Sequence, residues 1–223
     1  VNKEDMWISR IPVPVEINAS AHADDDFSKN KSIAELTDWN IYSPVWAPVS
    51  LEDQWLKLQD KDPFDYAKVE RKIPASKELK VSFDLKAGQN NKGTLHIEFL
   101  DENGIACSRI ELTDDGIFRL KGGSRFANMM KYEAGKIYHV EAVLSTVDRN
   151  IQVYVDGKRV GLRMFYAPVA AVERIVFRTG VPRTFPTVDT PADQTYDLPN
   201  AGAQDPLAEY GIANVKTSST DKD

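Results

Sequence analysis

The sequence predicts an all-β chain, an antiparallel two-sheet β-sandwich or jelly roll with little helix, and three observations carry that prediction. Around ten or more short runs alternate apolar and polar residues, spaced roughly 8 to 12 residues apart. Turns built on Asp or Asn and ending in Gly punctuate them, at Asp101-Glu102-Asn103-Gly104, Asp114-Asp115-Gly116 and Asp156-Gly157. Helix has almost no place: the best candidate is a short piece over residues 32–36, with no longer amphipathic run elsewhere.

Residues 1–20 carry Pro12 and Pro14 and read as an extended leader from a preceding domain, because proline lacks a backbone donor and is confined to sheet edges. Residues 24–31 are a loop. Residues 39–49 would resemble a strand but for Pro44 and Pro48, and read as a covering or docking segment. A short strand over 55–58 and a turn over 60–63 follow, then a strand over 67–73 with Val69, Arg71 and Ile73 on one face. After a turn over 74–78, Val81, Phe83 and Leu85 alternate, as do Leu95, Ile97 and Phe99 beyond a loop over 88–93; both are half-buried strands. Strands carrying Ile110 with Leu112 and Phe118 with Leu120 come next, then the segment 126–130.

The stretch 135–160 is the most informative. Tyr138, Val140, Ala142 and Leu144 fall on one face and His139, Glu141 and Val143 on the other, while Ile151, Val153 and Val155 alternate with Gln152 and Tyr154. Asp156-Gly157 closes a hairpin of type I′, which needs positive φ at both central residues. Residues 171–178 supply another strand, residues 181–208 with five prolines a long surface loop, and residues 209–217 the closing strand. The domain plan is a leader over 1–20, a single domain over 21–217 and a polar tail over 218–223.

Composition narrows the function classes. With 223 residues and 42% hydrophobic content, there is material for a substantial core. The net charge of −6 comes from interspersed acids and bases, so no basic field exists for a phosphate backbone and nucleic acid is not expected as a partner. Cys107 is the single cysteine, which excludes an internal disulfide and a thiolate cluster and assigns it to the core. No apolar run reaches the roughly 20 residues that span a bilayer, and the first ten residues lack the apolar segment of a signal peptide. The absence of an initial Met and the polar end suggest a fragment or processed form of something longer.

Five segments, over residues 80–85, 94–100, 136–144, 152–159 and 210–215, carry Tyr138-His139-Val140, Tyr154-Val155-Asp156-Gly157-Lys158 and Ile212-Ala213-Asn214-Val215. They resemble the concanavalin A-like, laminin-G-like jelly rolls, over about residues 50–217. The leader from Asn2 to Pro14 is similar, in addition, to the exit segment of a bacterial sialidase-type (BNR-repeat) propeller protein with such a jelly roll at its C-terminal end. The resemblance implies a non-catalytic carbohydrate-binding or accessory module of a secreted, periplasmic or cell-surface glycan-degrading protein, a glycoside hydrolase or polysaccharide lyase. Its partners would be a polysaccharide or oligosaccharide and a preceding domain. Two alternatives stand beside it: a structural module docking on a catalytic propeller, and a polysaccharide hydrolase or lyase with an unrecognised site.

A glycoside hydrolase of this fold usually carries Glu-x-Asp-x-Glu on one strand, which sets the carboxylates on one face. The nearest string, Glu98-Phe99-Leu100-Asp101-Glu102, leaves only Glu98 on its strand, so it reads as turn chemistry and no catalytic residue is assigned. His22, His96 and His139 lack zinc spacing. Calcium is the more reasonable ion for this fold, with Asp24, Asp26, Asp60 and Asp62 as oxygen donors against their plain role as turn formers; no other cofactor is expected. Outward strand positions give the carbohydrate-binding candidates His96, Glu98, Arg109, Arg119, His139 and Glu141, a set whose side chains hydrogen-bond sugar hydroxyls and whose arginines can hold a uronate or sulfate bidentately. The competing reading is the solvated face every antiparallel sheet keeps on its wet side. Trp7, Tyr42 and Trp46 read as interdomain packing, and Arg178 and Arg183 as anchors of that interface or the rim of a groove.

Overall fold

The structure, a computed structural model, describes residues 20–63, 65–180 and 203–219. Its strands are β1 (Asp24–Asp25), β2 (Trp39–Tyr42), β3 (Val49–Glu52), β4 (Trp55–Asp60), β5 (Lys68–Ser76), β6 (Glu78–Ala87), β7 (Leu95–Leu100), β8 (Ala106–Leu112), β9 (Ile117–Gly122), β10 (Arg125–Lys131), β11 (Ile137–Ser145), β12 (Asn150–Val155), β13 (Lys158–Met164), β14 (Val172–Thr179) and β15 (Ala208–Ser219). They form two antiparallel sheets. The eight-stranded sheet runs β13-β12-β11-β6-β15-β4-β3 with β1 added on β15, and the seven-stranded sheet runs β10-β9-β8-β7-β14-β5-β2. The chain is a β-sandwich, as the alternation predicts.

Strand parity builds the core. In the eight-stranded sheet Val140 lies opposite Phe83, Ala142 opposite Val81 and Leu144 opposite Leu79. In the other sheet Ile97 is flanked by Ile110 and Phe177. All of these side chains are buried in one cluster, and an edge-to-face contact of Phe83 with Phe177, centroids 5.0 Å apart, joins the layers. Each of these valine, leucine, isoleucine and phenylalanine side chains contributes about 1.5–3 kcal/mol through burial. At one flank, between β9, β10 and β13, the sheets close over glycine: a Cβ on Gly161 would stand 2.6 Å from Met129 Sδ.

The hairpin signal is realised. Asp156 and Gly157 have φ of 50° and 77°, the type I′ pattern, and the Asp156 carboxylate accepts the His139 N–H at 3.0 Å. The short helical piece is a 3-10 turn over Ile33–Glu35. Three differences have physical causes. Residues 39–42 of the expected covering segment form β2, an edge strand whose Trp39 is in the core and donates its indole N–H to Asp25. β5 runs through the expected turn at Pro74, because its register with β14 jumps from Lys72 to Ser76 and asks no N–H of the proline. The closing strand expected over 209–217 runs on to Ser219 as β15, between β6 and β4, because Ser218 and Ser219 continue its pairing with Lys80 and Leu79. The expected leader, apart from Ser20, and residues 181–202 of the expected loop lie outside the described residues.

Candidate functional site

Register assigns the outward side chains of the seven-stranded sheet to one surface. Opposite one another stand Arg109 and Glu98, Glu111 and His96, and His96 and Arg178, with Lys121 beside Arg109 and Arg119 beside Glu111. Toward β5, Lys68 lies opposite Arg178, Glu70 opposite Val176 and Lys72 opposite Arg174. On β10 Lys131 lies opposite Ile117, which shares the outward parity of Arg119 and Lys121, so this face carries eight cations and three carboxylates on a chain whose net charge is −6.

Its centre is a closed set of ion pairs. Glu98 accepts Arg109 Nε and Nη2 at 2.7 and 2.6 Å, and Arg178 Nη2 lies 3.5 Å away on the other side. Glu111 pairs with Arg119 and has His96 Nδ1 at 3.0 Å. Burial pushes the Glu98 carboxyl upward, but Arg178 and Arg109 more than reverse this and hold it below the ordinary range. Glu111 is likewise lowered against its burial, by His96 and Arg119. Burial lowers His96, so it stands as neutral imidazole, 5% exposed, with Nε2 unpartnered.

Aromatic rings border these charges. The Arg178 guanidinium lies 5.4 Å from the Tyr66 centroid, and Tyr66 meets Tyr42 at 5.5 Å. At the β9–β10 side, Arg119 lies 4.4 Å from the Phe126 centroid, and the Lys121 ammonium lies 5.5 Å from Phe126 and 4.7 Å from Tyr166. Tyr166 reaches the face because its backbone N–H donates to the Cys107 carbonyl, and burial pushes its hydroxyl up to about 12.

The six outward candidates divide between two surfaces. His96, Glu98, Arg109 and Arg119 come together here. His139 and Glu141 lie on the outer face of the other sheet, where His139 pairs with Asp84 at 2.8 Å and Glu141 with Lys80 at 2.6 Å. Arg178 is 4% exposed under Tyr66 and belongs to the central ion pairs, not to an accessible docking surface. The Tyr42 hydroxyl donates to Asp65, half-buried Trp46 accepts Lys61 N–H through its carbonyl, and Trp7 and Arg183 lie outside the described residues.

The four aspartates serve local structure. Asp24 pairs with Lys216, Asp26 accepts from the Ser28 backbone and hydroxyl, Asp60 accepts the Asp62 N–H, and Asp62 accepts the Asp65 N–H. Among the described residues no three metal-ligating side chains gather. Asp101 accepts the N–H groups of Asn103 and Ile105, as expected of a turn former. Sequence reasoning missed Phe126 and Tyr166 and left Lys121 out of the candidate set. Lys121 was visible as an outward position beside Phe118 and Leu120, whereas Tyr166 follows β13 with no periodic signal.

The model of the sialidase-like CBM domain matches residues 39–194, more than half of the chain. The chain belongs to the sialidase-like CBM domain family. A solved sialidase is 88% identical with a TM-score of 0.92, and the match covers 98% of this chain and 20% of that one, so the CBM domain spans about a fifth of that protein's length. Two distant structures share the fold alone. One is a chain from endo-acting O-glycanases of the human gut microbiota, at 12% identity and TM-score 0.61, with 88% of this chain and 98% of that one covered. The other is the Crh5 transglycosylase, at 11% and 0.63, with 92% and 85% covered. No curated protein matches the CBM domain. The sialidase-like CBM domain is thus a carbohydrate-binding accessory jelly roll, and among its described residues no helix is long and apolar enough to cross a membrane.

Proposed function

We propose that the module binds its glycan on the outer face of the seven-stranded sheet and thereby holds a secreted or periplasmic sialidase-type parent on a glycan-bearing surface. Residues 1–20 would connect it to the preceding domain and residues 21–217 would form the folding unit. The observation that carries this reading is the charge on that face, eight cations against three carboxylates, bordered by Tyr42, Tyr66, Phe126 and Tyr166. On the opposite face His139 pairs with Asp84, Lys80 with Glu141 and Lys216 with Asp24, and Lys86 stands exposed.

The chemistry fits a sugar. Guanidinium and ammonium N–H groups donate to hydroxyl and carboxylate oxygens, and exposed rings accept the C–H face of a pyranose. The resemblance to a sialidase makes sialylated chains the first ligands to try. The test is affinity electrophoresis of the 223-residue chain through gels holding a panel of polysaccharides and glycoproteins. Retardation should be reduced by R119A and F126A and kept by H139A and E141A. The opposite ranking, or no retardation on any glycan, defeats the assignment.

A further inference from the structure

Five of the eight outward cations on this face have a carboxylate partner: Arg109 and Arg178 share Glu98, Arg119 has Glu111, and Lys68 and Arg174 share Glu70. Among the described residues Lys72, Lys121 and Lys131 pair with no carboxylate. Lys72 and Lys131 stand exposed. Lys121 is half-buried, its ammonium 4.7 Å from the Tyr166 centroid and 5.5 Å from that of Phe126. Phe126 is itself 37% exposed on an edge strand and carries the Arg119 guanidinium at 4.4 Å, so two positive charges border one open ring.

We infer that Lys121, between Phe126 and Tyr166, is the subsite for the anionic group of an acidic sugar, whose ring lies on Phe126. This rests on the assignment of the glycan to the seven-stranded face. The ring quadrupoles favour a cation there, by about 0.5–1 kcal/mol at an exposed site, but supply no counter-charge and no acceptor for three N–H donors. A carboxylate or sulfate ester entering the gap supplies both, through charge-assisted hydrogen bonds that a neutral hydroxyl matches only weakly. The arginines suggested by sequence for this task already have their charge offset by Glu98 and Glu111, so they draw an incoming acid less strongly than Lys121 does.

The test is isothermal titration of the 223-residue chain with a sialylated oligosaccharide, the same oligosaccharide after removal of its sialic acid, and a sulfated oligosaccharide. Wild type should prefer at least one acidic ligand over the neutral one by on the order of tenfold, consistent with charged hydrogen bonds. The acid preferred identifies the group as carboxylate or sulfate. K121M should erase the preference and K121R retain most of it, while K86M, on the opposite sheet, leaves it in place. A K121M protein that still prefers the acidic ligand, or a wild type with no acidic preference, overturns the subsite. If F126A and R119A nevertheless weaken every ligand, the face assignment survives. Wild-type binding that neither substitution affects, or no binding to any of the three ligands, overturns both.

Discussion

Replacing Glu98 by Gln tests whether the centre of the binding face is held by its ion pairs. The substitution keeps the shape of the side chain but removes the charge between Arg109 and Arg178, whose side chains are 18% and 5% exposed. Breaking a buried pair on one side costs about 3–5 kcal/mol, because the remaining charge is left uncompensated. Arg109 can turn partly to water and the amide oxygen still accepts one of its N–H groups, so the lower end, about 3 kcal/mol, applies. For a chain of this size that lowers Tm by roughly 6–12 °C, at 2–4 °C per kcal/mol. E98Q/R178M, which also removes the buried cation, should recover half or more of the loss. The pH dependence has a definite sign. The folded-state carboxyl is held below its ordinary value, so its contribution is complete above the ordinary carboxylate range and disappears as pH falls through the lower folded value. Melting curves from pH 7 downward should therefore bring wild type and E98Q together in acid. An E98Q protein that melts within about 2 °C of wild type at pH 7 refutes the reasoning.

Burial raises Asp60 to about 6, so the folded state retains its proton between about 4 and 6 and loses stability as pH rises through that window. D60N should therefore melt above wild type at pH 7.5, by the equivalent of at most about 3 kcal/mol, and match it near pH 4; a D60N that is less stable at pH 7.5 contradicts this. Gly93 has φ of 68°, and a Cβ there would stand 2.3 Å from Ala208 Cβ, so G93A should lower stability by about 2–4 kcal/mol in urea titration, and an unchanged midpoint would remove the clash argument. Cys107 is buried and its thiol is pushed up to about 12, so an aromatic disulfide reagent at pH 8 should label it only on unfolding; stoichiometric labelling of the native chain within minutes would contradict its burial.

Parity was legible in the sequence and sheet membership was not. Val69, Arg71 and Ile73 were assigned to one face from alternation alone, and all three are buried there, including the arginine. The partner that makes this tolerable, Asp25 at 2.8 Å, comes from a two-residue strand inside what reads as a loop. His96 and His139 have the same outward parity, yet they lie on opposite faces of the molecule, because β7 pairs with β8 and β14 while β11 pairs with β6 and β12. Period two says which side of a strand is wet, but only long-range pairing says which strands share that side. For the same reason Lys121 and Phe126 were readable as neighbours across a turn, whereas Tyr166 arrives from 40 residues further along the sequence through one backbone hydrogen bond to Cys107.

The order of charges from centre to edge decides where an acid can bind. At the centre Glu98 and Glu111 already offset the charge of Arg109, Arg178 and Arg119, and all but Arg119 are mostly buried. An incoming carboxylate would meet cations whose charge is already offset and would still lose its own water, so it gains little. The same pairs hold their side chains in fixed geometry, which lowers the ordering cost for any ligand that rests on top of them. At the β9–β10 edge the balance reverses, since Lys121 offers donors without an internal acceptor and Phe126 offers an open ring. Neutral sugar units are therefore expected over the closed centre and the acidic unit at the edge, a polarity along the glycan that follows from which cations the protein has left unpaired.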